Sequence, residues 1–353
     1  MKKKLIPIIL AGGKGERFWP VSRIKRPKQF LCLDGSDQSL LQSTAERLLN
    51  LAGGWEHLWV ITSAVIADGV KEQLPDLPVS QILVEPQGRD TAPAVAWATL
   101  EVAKKYGDDA ILGFFPADHW IGDTAAYEKT LAAAVMQADT EPSIVTLGIT
   151  PNQPATGYGY IEQGSQQGTY DDLPVYRVTR FTEKPDRATA QSFIDTGKFS
   201  WNSGMFIFKA GVVLEELQKH TPQLINLLRT KGRDAYAELE KESIDYALME
   251  KTQLAYVLPA NFGWDDLGDW NGVERLLKGD RQNVELCRHI AKDTQDAVIY
   301  ASDADEVVVT IGLKDVVIVR DGNVTLVVDK NQTQDIKQVV KSLHDKPEFK
   351  HLL

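Results

Sequence analysis

The sequence predicts an α/β protein whose main part is a doubly wound, mostly parallel sheet. Two observations support this prediction. Short and wholly apolar runs alternate with stretches of helical periodicity through the first half of the chain, which is typical of parallel strands covered by helices on both faces. After about residue 286, short β-type runs follow one another across turns without an intervening helical stretch, which predicts a small β appendage.

The first half of the chain contains the alternating elements. Strands are predicted at 5–10, 57–62, 81–85, 110–116 and 143–149, and helices at 40–51, 64–74, 92–106 and 125–138. This alternation is typical of a Rossmann-like sheet. Ligands of such sheets bind beyond the carboxyl ends of the strands. The residues that directly follow the predicted strands are therefore the first candidates for a functional site.

The second half of the chain is less regular. Strands are predicted at 158–164, 175–184, 201–210 and 255–260, and helices at 188–196 and throughout 212–251. Beyond residue 286, turn signals such as Asp321-Gly322-Asn323 separate β runs that suggest a few coils of a β-helix, and 333–353 is polar and helical. We expect one large domain at 1–283 and a short β-helix-like region with a C-terminal helix at 284–353.

Composition restricts the class of protein. The chain of 353 residues has a formal net charge of -10, which is not typical of a protein that coats nucleic acid. No apolar run reaches the ~18 residues of a membrane-spanning helix, and the lysine-rich start is interrupted by Pro7 and ends at Gly12, too early for a secretion signal. The two cysteines form no disulfide framework. We expect a cytoplasmic protein without nucleic-acid or membrane partners.

A glycine-rich and basic loop follows the first predicted strand. The stretch LAGGKGERFWPVSRIKRPKQF spans Leu10 to Phe30 and carries six cations, namely Lys14, Arg17, Arg23, Lys25, Arg26 and Lys28. It is neither a dinucleotide fingerprint, which would need glycine at Phe18, nor a Walker A loop. A tight turn with a solvated basic face is one interpretation. Pro20 and Pro27 restrict the backbone around the cations, which favours the other interpretation, a pocket for an anion.

Two acidic stretches could hold a metal ion. Asp118 follows the predicted strand at 110–116, and the loop GWDDLGDW contains Asp265, Asp266 and Asp269. An aspartate at a strand end can hold Mg²⁺ with few other protein ligands, because water and substrate phosphates complete the coordination. Helix capping is the alternative for Asp118, and it accounts well for Asp269.

Three further polar stretches follow predicted strands. FTEKPD places Glu183 and Lys184 at a strand end, either as a surface ion pair or as an acceptor and a cation for a sugar phosphate. Asn202 is either a turn residue or an amide for hydroxyl groups. The loop 85–94 is either a connection in which Thr91 caps a helix or a surface for a base and ribose.

In this order, the motifs resemble those of the sugar nucleotidyltransferases, and among them the mannose-1-phosphate guanylyltransferases. The resemblance extends from Leu10 to Trp270, about three quarters of the chain. It is carried by LAGGKGERFWPVSRIKRPKQF, EPQGRDTAPA, FPADHW, GYGYI, FTEKPD, WNSGMFIF and FGWDDLGDW. The stretches PKQF and GRDTAPA point to the mannose branch, whereas the glycine pattern alone would indicate only the superfamily.

The resemblance implies a reaction. A phosphate oxygen of mannose 1-phosphate would attack the α-phosphorus of GTP, which gives GDP-mannose and pyrophosphate with the help of Mg²⁺. The sugar phosphate is already largely dianionic at pH 7, because its second pKa is about 6. No enzyme nucleophile is therefore needed, and cations that offset the repulsion between two anions should dominate catalysis.

The resemblance also implies roles for individual residues. Arg17, Lys28, Asp118 and Lys184 would be catalytic, and Asp118 and Asp265 would hold Mg²⁺. Lys184 would bind the sugar phosphate, and the sugar hydroxyls would lie against Gly157, Glu183 and Asn202. The residues expected to bind the nucleotide are Leu10, Ala11, Gly12, Gly13, Gly15, Gly88, Arg89, Asp90 and Thr91. A homodimer is expected by analogy.

Other functions remain open from the sequence. A different nucleotide or sugar phosphate would use the same motifs. A GT-A-like glycosyltransferase usually has an Asp-x-Asp metal motif, but Pro116 stands where its first aspartate would be. A nucleotide-sugar sensor without activity would not need all of Arg17, Lys28 and Lys184.

Overall fold

The computed structural model describes residues 4–353, so Met1–Lys3, the start of the lysine-rich stretch, lie outside the described residues. The strands are β1 Leu5–Ala11, β2 Trp59–Ser63, β3 Ile82–Glu85, β4 Ile111–Pro116, β5 Trp120–Ile121, β6 Ile144–Ile149, β7 Tyr160–Tyr170, β8 Leu173–Thr182, β9 Phe199–Lys209, β10 Ala255–Ala260, β11 Trp264–Asp265, β12 Val284–Leu286, β13 Arg288–Lys292, β14 Val298–Ala301, β15 Val307–Ile311, β16 Val316–Asp321 and β17 Val324–Asp329. The α-helices are α1 Leu40–Ala52, α2 Ala67–Gln73, α3 Thr91–Tyr106, α4 Thr124–Thr140, α5 Arg187–Thr196, α6 Ala210–His220, α7 Pro222–Lys231, α8 Trp270–Leu277 and α9 Ile336–His344.

The predicted α/β class is confirmed by a nine-stranded sheet in the order β3-β2-β1-β4-β9-β6-β10-β8-β7. Strands β1 to β4 are parallel to one another, and β6 is parallel to β10. Strand β9 runs antiparallel between β4 and β6. The parallel pairs bring the carboxyl ends of β1, β3 and β4 to one edge, where the candidate residues lie.

Both faces of the sheet are buried. In β1, Leu5 and Ile9 belong to a core that contains residues of α1 and α4, whereas Ile6 and Ile8 belong to a second core with residues of α3, α6 and α7. Alternate side chains of one strand point to opposite faces, so a strand between two helical layers must be apolar throughout. This is the physical reason for the continuous apolar runs in the sequence.

The C-terminal strands form stacked β coils. Strands β12, β14 and β16 are parallel, β17 returns antiparallel to β16, and β13 pairs in parallel with β15. A third core joins these coils and α9 to the glycine-rich loop, because Phe18 and Trp19 pack in one cluster with Val317 and Ile336. The predicted β-helix-like appendage is therefore confirmed, and it shares a core with the main domain.

The structure departs from the predicted elements in the segment 212–251. Only α6 and α7 are regular there, and they are followed by a 3-10 stretch at Gly232–Ala237 and a π-helical turn at Asp245–Met249. Gly232 has a φ of 55°, which stops the helix. No helix formed by residues 4–353 is long and apolar enough to cross a bilayer.

Candidate active site

A cationic pocket lies where β1 and β4 end. We call it the cationic pocket because Arg17, Lys28 and Lys337 approach it, together with Lys14, Gly15, Glu16, Asp118, His119, Asp266 and Gly268. Gly15 has a φ of 63°, and a Cβ there would lie 2.2 Å from Lys28 Cβ. Glycine is required at this point, because the loop folds back directly onto the residue that carries the central ammonium group.

Lys28 is the central cation of the pocket. It is 4% exposed, and its Nζ donates to Asp118 Oδ2 at 2.8 Å and to the backbone oxygen of Asp266. Burial alone would raise the pKa of Asp118, but Lys28 holds that pKa below its usual value. Asp118 is thus an ionised carboxylate, and it is not a helix cap, because Asp123 caps α4.

The adjacent aspartates at the end of β11 line two different pockets. Asp265 makes a bidentate ion pair with Arg275, with N–O distances of 2.9 and 3.0 Å, and borders a different depression. Asp266 lines the cationic pocket, and its Oδ1 accepts from the Tyr158 hydroxyl at 2.7 Å. Asp266 therefore lines the same pocket as Asp118, whereas the carboxylate of Asp265, the expected second metal ligand, is paired with Arg275.

Arg17 carries a positive charge that no carboxylate neutralises within residues 4–353. Its Nη1 donates to the backbone oxygen of Gly268 at 3.0 Å, and its buried Nε has no hydrogen-bond partner among these residues. The hydrogen bond fixes the guanidinium on the loop that carries Asp266. Such a fixed cation with spare donors is suited to bind a phosphate group.

A second, acidic pocket adjoins the first and shares Asp266 and His119 with it. We call it the acidic pocket; its polar lining is provided by Gly157, Tyr158, Gly159, Glu183, Asn202, Ser203 and Asp245, with Leu10 and Thr91 at its border. Asn202 Nδ2 donates to Asp245 Oδ1 at 2.9 Å. Burial, reinforced by the charge of Glu183, raises the pKa of Asp245 to about 6. Closely spaced acceptors of this kind suit a ligand that is rich in hydroxyl groups.

Lys184 pairs with Glu183, a residue of the acidic pocket. Its Nζ is 2.5 Å from Glu183 Oε1, and its side chain is 61% exposed. The backbone at Lys184 has a φ of 45°, which is uncommon for a residue with a side chain. This conformation, directly after β8, holds the ammonium group beside the carboxylate.

The other side of the glycine-rich loop borders an apolar cleft of about 300 Å³. We call it the apolar cleft; Gly12, Gly13 and Gly88 line it, with Val340 and His344 of α9. Ala11, at the end of β1, is buried and supports this loop, since its oxygen accepts from Thr62 Oγ1 at 2.9 Å.

The loop after β3 uses its polar side chains for structure. Arg89 donates to the backbone oxygens of Tyr236 and Ala237 at 3.0 and 3.2 Å. Asp90 caps α3, whereas Thr91, the expected cap, accepts from the amide of Ile244 through its hydroxyl. The structure therefore brings Gly88 to the apolar cleft but engages the side chains of Arg89, Asp90 and Thr91 elsewhere, because each already has a partner.

Glu85 is a further candidate residue, to which the sequence motifs assign no role. It ends β3, and one carboxylate oxygen would lie 3.7 Å from a Cβ placed on Gly12. Burial raises its pKa to about 7, although the nearby Tyr236 hydroxyl opposes the rise. Its Oε1 is buried without a hydrogen-bond partner in the described part of the chain. The sequence offered one indication of such a role, because Glu85 is an acidic residue at the end of a predicted strand.

The carboxylates of Asp118 and Asp266 fit a divalent metal that keeps most of its coordination for substrate. Residues 4–353 contain no cluster of three or more His, Cys, Asp or Glu side chains that could hold an ion. Two carboxylates beside a cationic pocket match the requirement of Mg²⁺, which takes one or two carboxylates and fills its shell with water and phosphate oxygens.

Comparison with known proteins identifies the family. The nucleotidyl transferase family model matches residues 6–283, and a mannose-phosphate isomerase/GMP-like β-helix domain model matches residues 287–343. The chain is 37% identical to a mannose-1-phosphate guanylyltransferase of Escherichia coli K12 over 97% of this chain and 74% of that protein. It is also 37% identical to the mannose-1-phosphate guanylyltransferase ManC of Salmonella typhimurium, over 96% of this chain and 73% of the relative.

A solved structure extends this similarity to the whole fold. The crystal structure described as a mannose-1-phosphate geranyltransferase from Thermus thermophilus matches with a TM-score of 0.87 at 36% identity, over 97% of this chain and 99% of that one. The resemblance inferred from the motifs is thereby confirmed. The chain belongs to the nucleotidyl transferase family, within the group of the mannose-1-phosphate guanylyltransferases.

Proposed function

We propose that the chain transfers GMP from GTP to mannose 1-phosphate and releases pyrophosphate. The observation that carries this proposal is the pairing of two pockets that share Asp266, one cationic and one acidic. A triphosphate suits the first pocket, and the hydroxyls of a sugar suit the second. The shared carboxylate marks the place where the phosphate of the sugar would meet the α-phosphorus of the nucleotide.

Repulsion between the two substrates is the main obstacle to this reaction. Two unit like charges 4 Å apart repel by roughly 4 kcal/mol at an effective dielectric constant of 20, and here a dianion approaches a triphosphate. Lys28 and Arg17 would offset this repulsion and hold the leaving pyrophosphate. Because both are fixed by hydrogen bonds, their charges need little reorganisation during the reaction.

The sugar phosphate would lie in the acidic pocket. Lys184 would bind its phosphate, while Glu183, Asn202 and the Gly157 backbone would orient its hydroxyls. Asp245 adds an acceptor that the sequence did not suggest, since Asn202 already donates to it. Asn202 would therefore act partly by orienting this carboxylate.

Asp118 and Asp266 would hold the metal ion, which we propose to be Mg²⁺. Nucleotidyltransferases as a family use a divalent metal, and when bound it neutralises phosphate oxygens and orients them. Asp118 meets the requirement of a ligand that stays ionised, because Lys28 holds its pKa low.

Glu85 would recognise the guanine base. Guanine presents two adjacent donors, N1–H and the 2-amino group, and a carboxylate can accept from both. Glu85 Oε1 is buried without a hydrogen-bond partner among the described residues. Glu85 Oε2 lies on the side of Gly12, which lines the apolar cleft. The backbone of Gly12, Gly13, Gly15 and Gly88 would let the nucleotide approach closely.

We further propose that the catalytic domain comprises residues 1–283 and that the β-helix-like region begins at residue 284. We also propose that the β coils of this second region mediate a homodimer. Strands β13 and β15 expose a contiguous apolar face formed by Ile290, Val307, Val309 and Ile311, each at least 51% exposed. Contiguous exposed apolar patches are typical of protein–protein interfaces.

The assignment of substrates predicts a selective pyrophosphate release. Among pairs of nucleoside triphosphate and sugar 1-phosphate, GTP with mannose 1-phosphate should give the highest kcat/KM in the presence of Mg²⁺. Coupled detection of pyrophosphate measures each pair, and D118N serves as the control for contaminating activity. Absence of turnover with this pair, together with turnover of another, would reject the substrate assignment.

The different surroundings of Asp265 and Asp266 predict that the same substitution has different effects at the two positions. D118N and D266N should each lower kcat about 100-fold or more, because they remove metal ligands. D265N should lower kcat less than about tenfold, because it weakens a half-exposed ion pair with Arg275. Rates measured against Mg²⁺ concentration distinguish the variants. An inactive D265N beside an active D266N would restore Asp265 as the ligand.

The role of Glu85 predicts a loss of base selectivity. E85Q should lower kcat/KM for GTP by about tenfold or more and for ITP, which lacks the 2-amino group, by less. Since burial raises the pKa of Glu85 to about 7, the carboxyl is protonated below that pH and loses an acceptor. Affinity for GDP-mannose should therefore increase from pH 6 to pH 8 in the wild type and change less in E85Q. Equal GTP and ITP losses would refute this role.

The apolar face predicts a dimer that one substitution disrupts. V309D should shift the protein from dimer to monomer in light scattering, because a charge would be buried in the interface. V79D is the matched control, since Val79 is 67% exposed on another surface. A wild-type monomer, or dissociation by both substitutions alike, would contradict the proposal.

A further inference from the structure

We infer that Lys337, on helix α9, is a phosphate-binding residue of the nucleotide site. This residue lies far beyond the motifs that carry the family resemblance, the last of which ends at Trp270. Its side chain lines the cationic pocket with Arg17, Lys28 and Asp118. The inference rests on the proposed use of GTP, and it adds a cation from the C-terminal region to the site.

One face of α9 borders the glycine-rich loop on both sides. Lys337 lines the cationic pocket, and Val340 and His344 line the apolar cleft. These positions are three and seven residues apart, which places them on the same face of a helix. A nucleotide that extends from the apolar cleft to the cationic pocket would therefore follow this face of the helix.

Packing fixes the helix that carries Lys337. Its neighbour Ile336 is 2% exposed and belongs to the same core as Phe18, which directly follows Arg17. Just before α9, Thr333 and Gln334 donate to Asp269 Oδ2 at 2.7 and 2.6 Å. The helix is therefore attached to both loops that form the pocket, the loop with Arg17 and the loop with Asp266.

The positive charge of Lys337 is not neutralised by an ion pair among the described residues. Within the described residues, no carboxylate lies in ion-pair distance of its Nζ. Burial lowers the pKa of Lys337, and the charges of Arg17 and Lys184 lower it further, while Glu16 opposes them. Glu16 itself lies 3.8 Å from Lys14. Ammonium and guanidinium groups that face one pocket repel each other, so an anionic ligand would bind there more strongly than to any of them alone.

The pocket that Lys337 lines indicates which part of the nucleotide its side chain would contact. It lines the cationic pocket and is absent from the lining of the acidic pocket. The contact therefore belongs to the β- and γ-phosphates, which leave as pyrophosphate, and not to the sugar phosphate. Lys337 would bind this group in GTP and also free pyrophosphate in the reverse reaction.

Charge removal at Lys337 tests the inference, with Lys341 as the matched control on the next turn of the same helix. K337Q should raise the KM for GTP about tenfold, within the range of one charge-assisted hydrogen bond, and leave the KM for mannose 1-phosphate within about twofold. K341Q should resemble the wild type in both constants. K337R should recover most of the affinity for GTP.

A binding measurement separates this inference from the proposed reaction. Calorimetric titration of each variant with inorganic pyrophosphate and Mg²⁺ needs no turnover, and K337Q should bind about tenfold more weakly than K341Q. Equal pyrophosphate and GTP affinities of K337Q and K341Q would overturn the role of Lys337, whatever the enzyme synthesises. A wild type that binds pyrophosphate but makes no GDP-mannose would instead contradict the proposed function.

Discussion

The ion pair between Lys28 and Asp118 organises the site. Its lysine is buried and its aspartate is partly exposed. The pair connects the glycine-rich loop to the end of β4, and the same ammonium group donates to the backbone oxygen of Asp266. Loss of Asp118 would leave the buried ammonium group of Lys28 without its compensating charge, which is costly. The hydrogen bonds of Lys28 thus hold three segments together: the glycine-rich loop, the end of β4 and the loop that carries Asp266. The other polar groups of the site lie on these segments or next to them.

This arrangement separates charge within a chain that is acidic overall. The cations cluster on one side of Asp266, and Glu183 and Asp245 lie on the other. The net charge of the chain is -10, but the basic residues make the potential in the cationic pocket locally positive. A cleft with low-dielectric walls can focus such a potential. The charges that line each pocket, and not the net charge of the chain, therefore set the local potential.

Much of the fold was predictable, because burial on two faces leaves a clear apolar pattern in each central strand. The cations Arg17 and Lys28 were predictable for a similar reason, since they follow a strand in a loop that two prolines restrict. Which of the two adjacent aspartates lines the cationic pocket was not predictable. Asp265 and Asp266 are adjacent and chemically identical, and only the position of Arg275, ten residues beyond Asp265, decides between them. The π-helical turn that places Asp245 in the acidic pocket has no local signal either, because tertiary packing overrides the helical periodicity of that segment.

The contact between the two most distant parts of the fold has a consequence for biosynthesis. Trp19 Nε1 donates to the backbone oxygen of Leu352, across 333 residues of sequence, and Phe18 packs in a core that is completed by Val340 and Leu343. Synthesis on the ribosome proceeds from the N-terminus, so the central sheet can assemble while this core is still half built. The packing of Phe18 and Trp19 in the glycine-rich loop is therefore complete only once α9 and the residues after it have been synthesised.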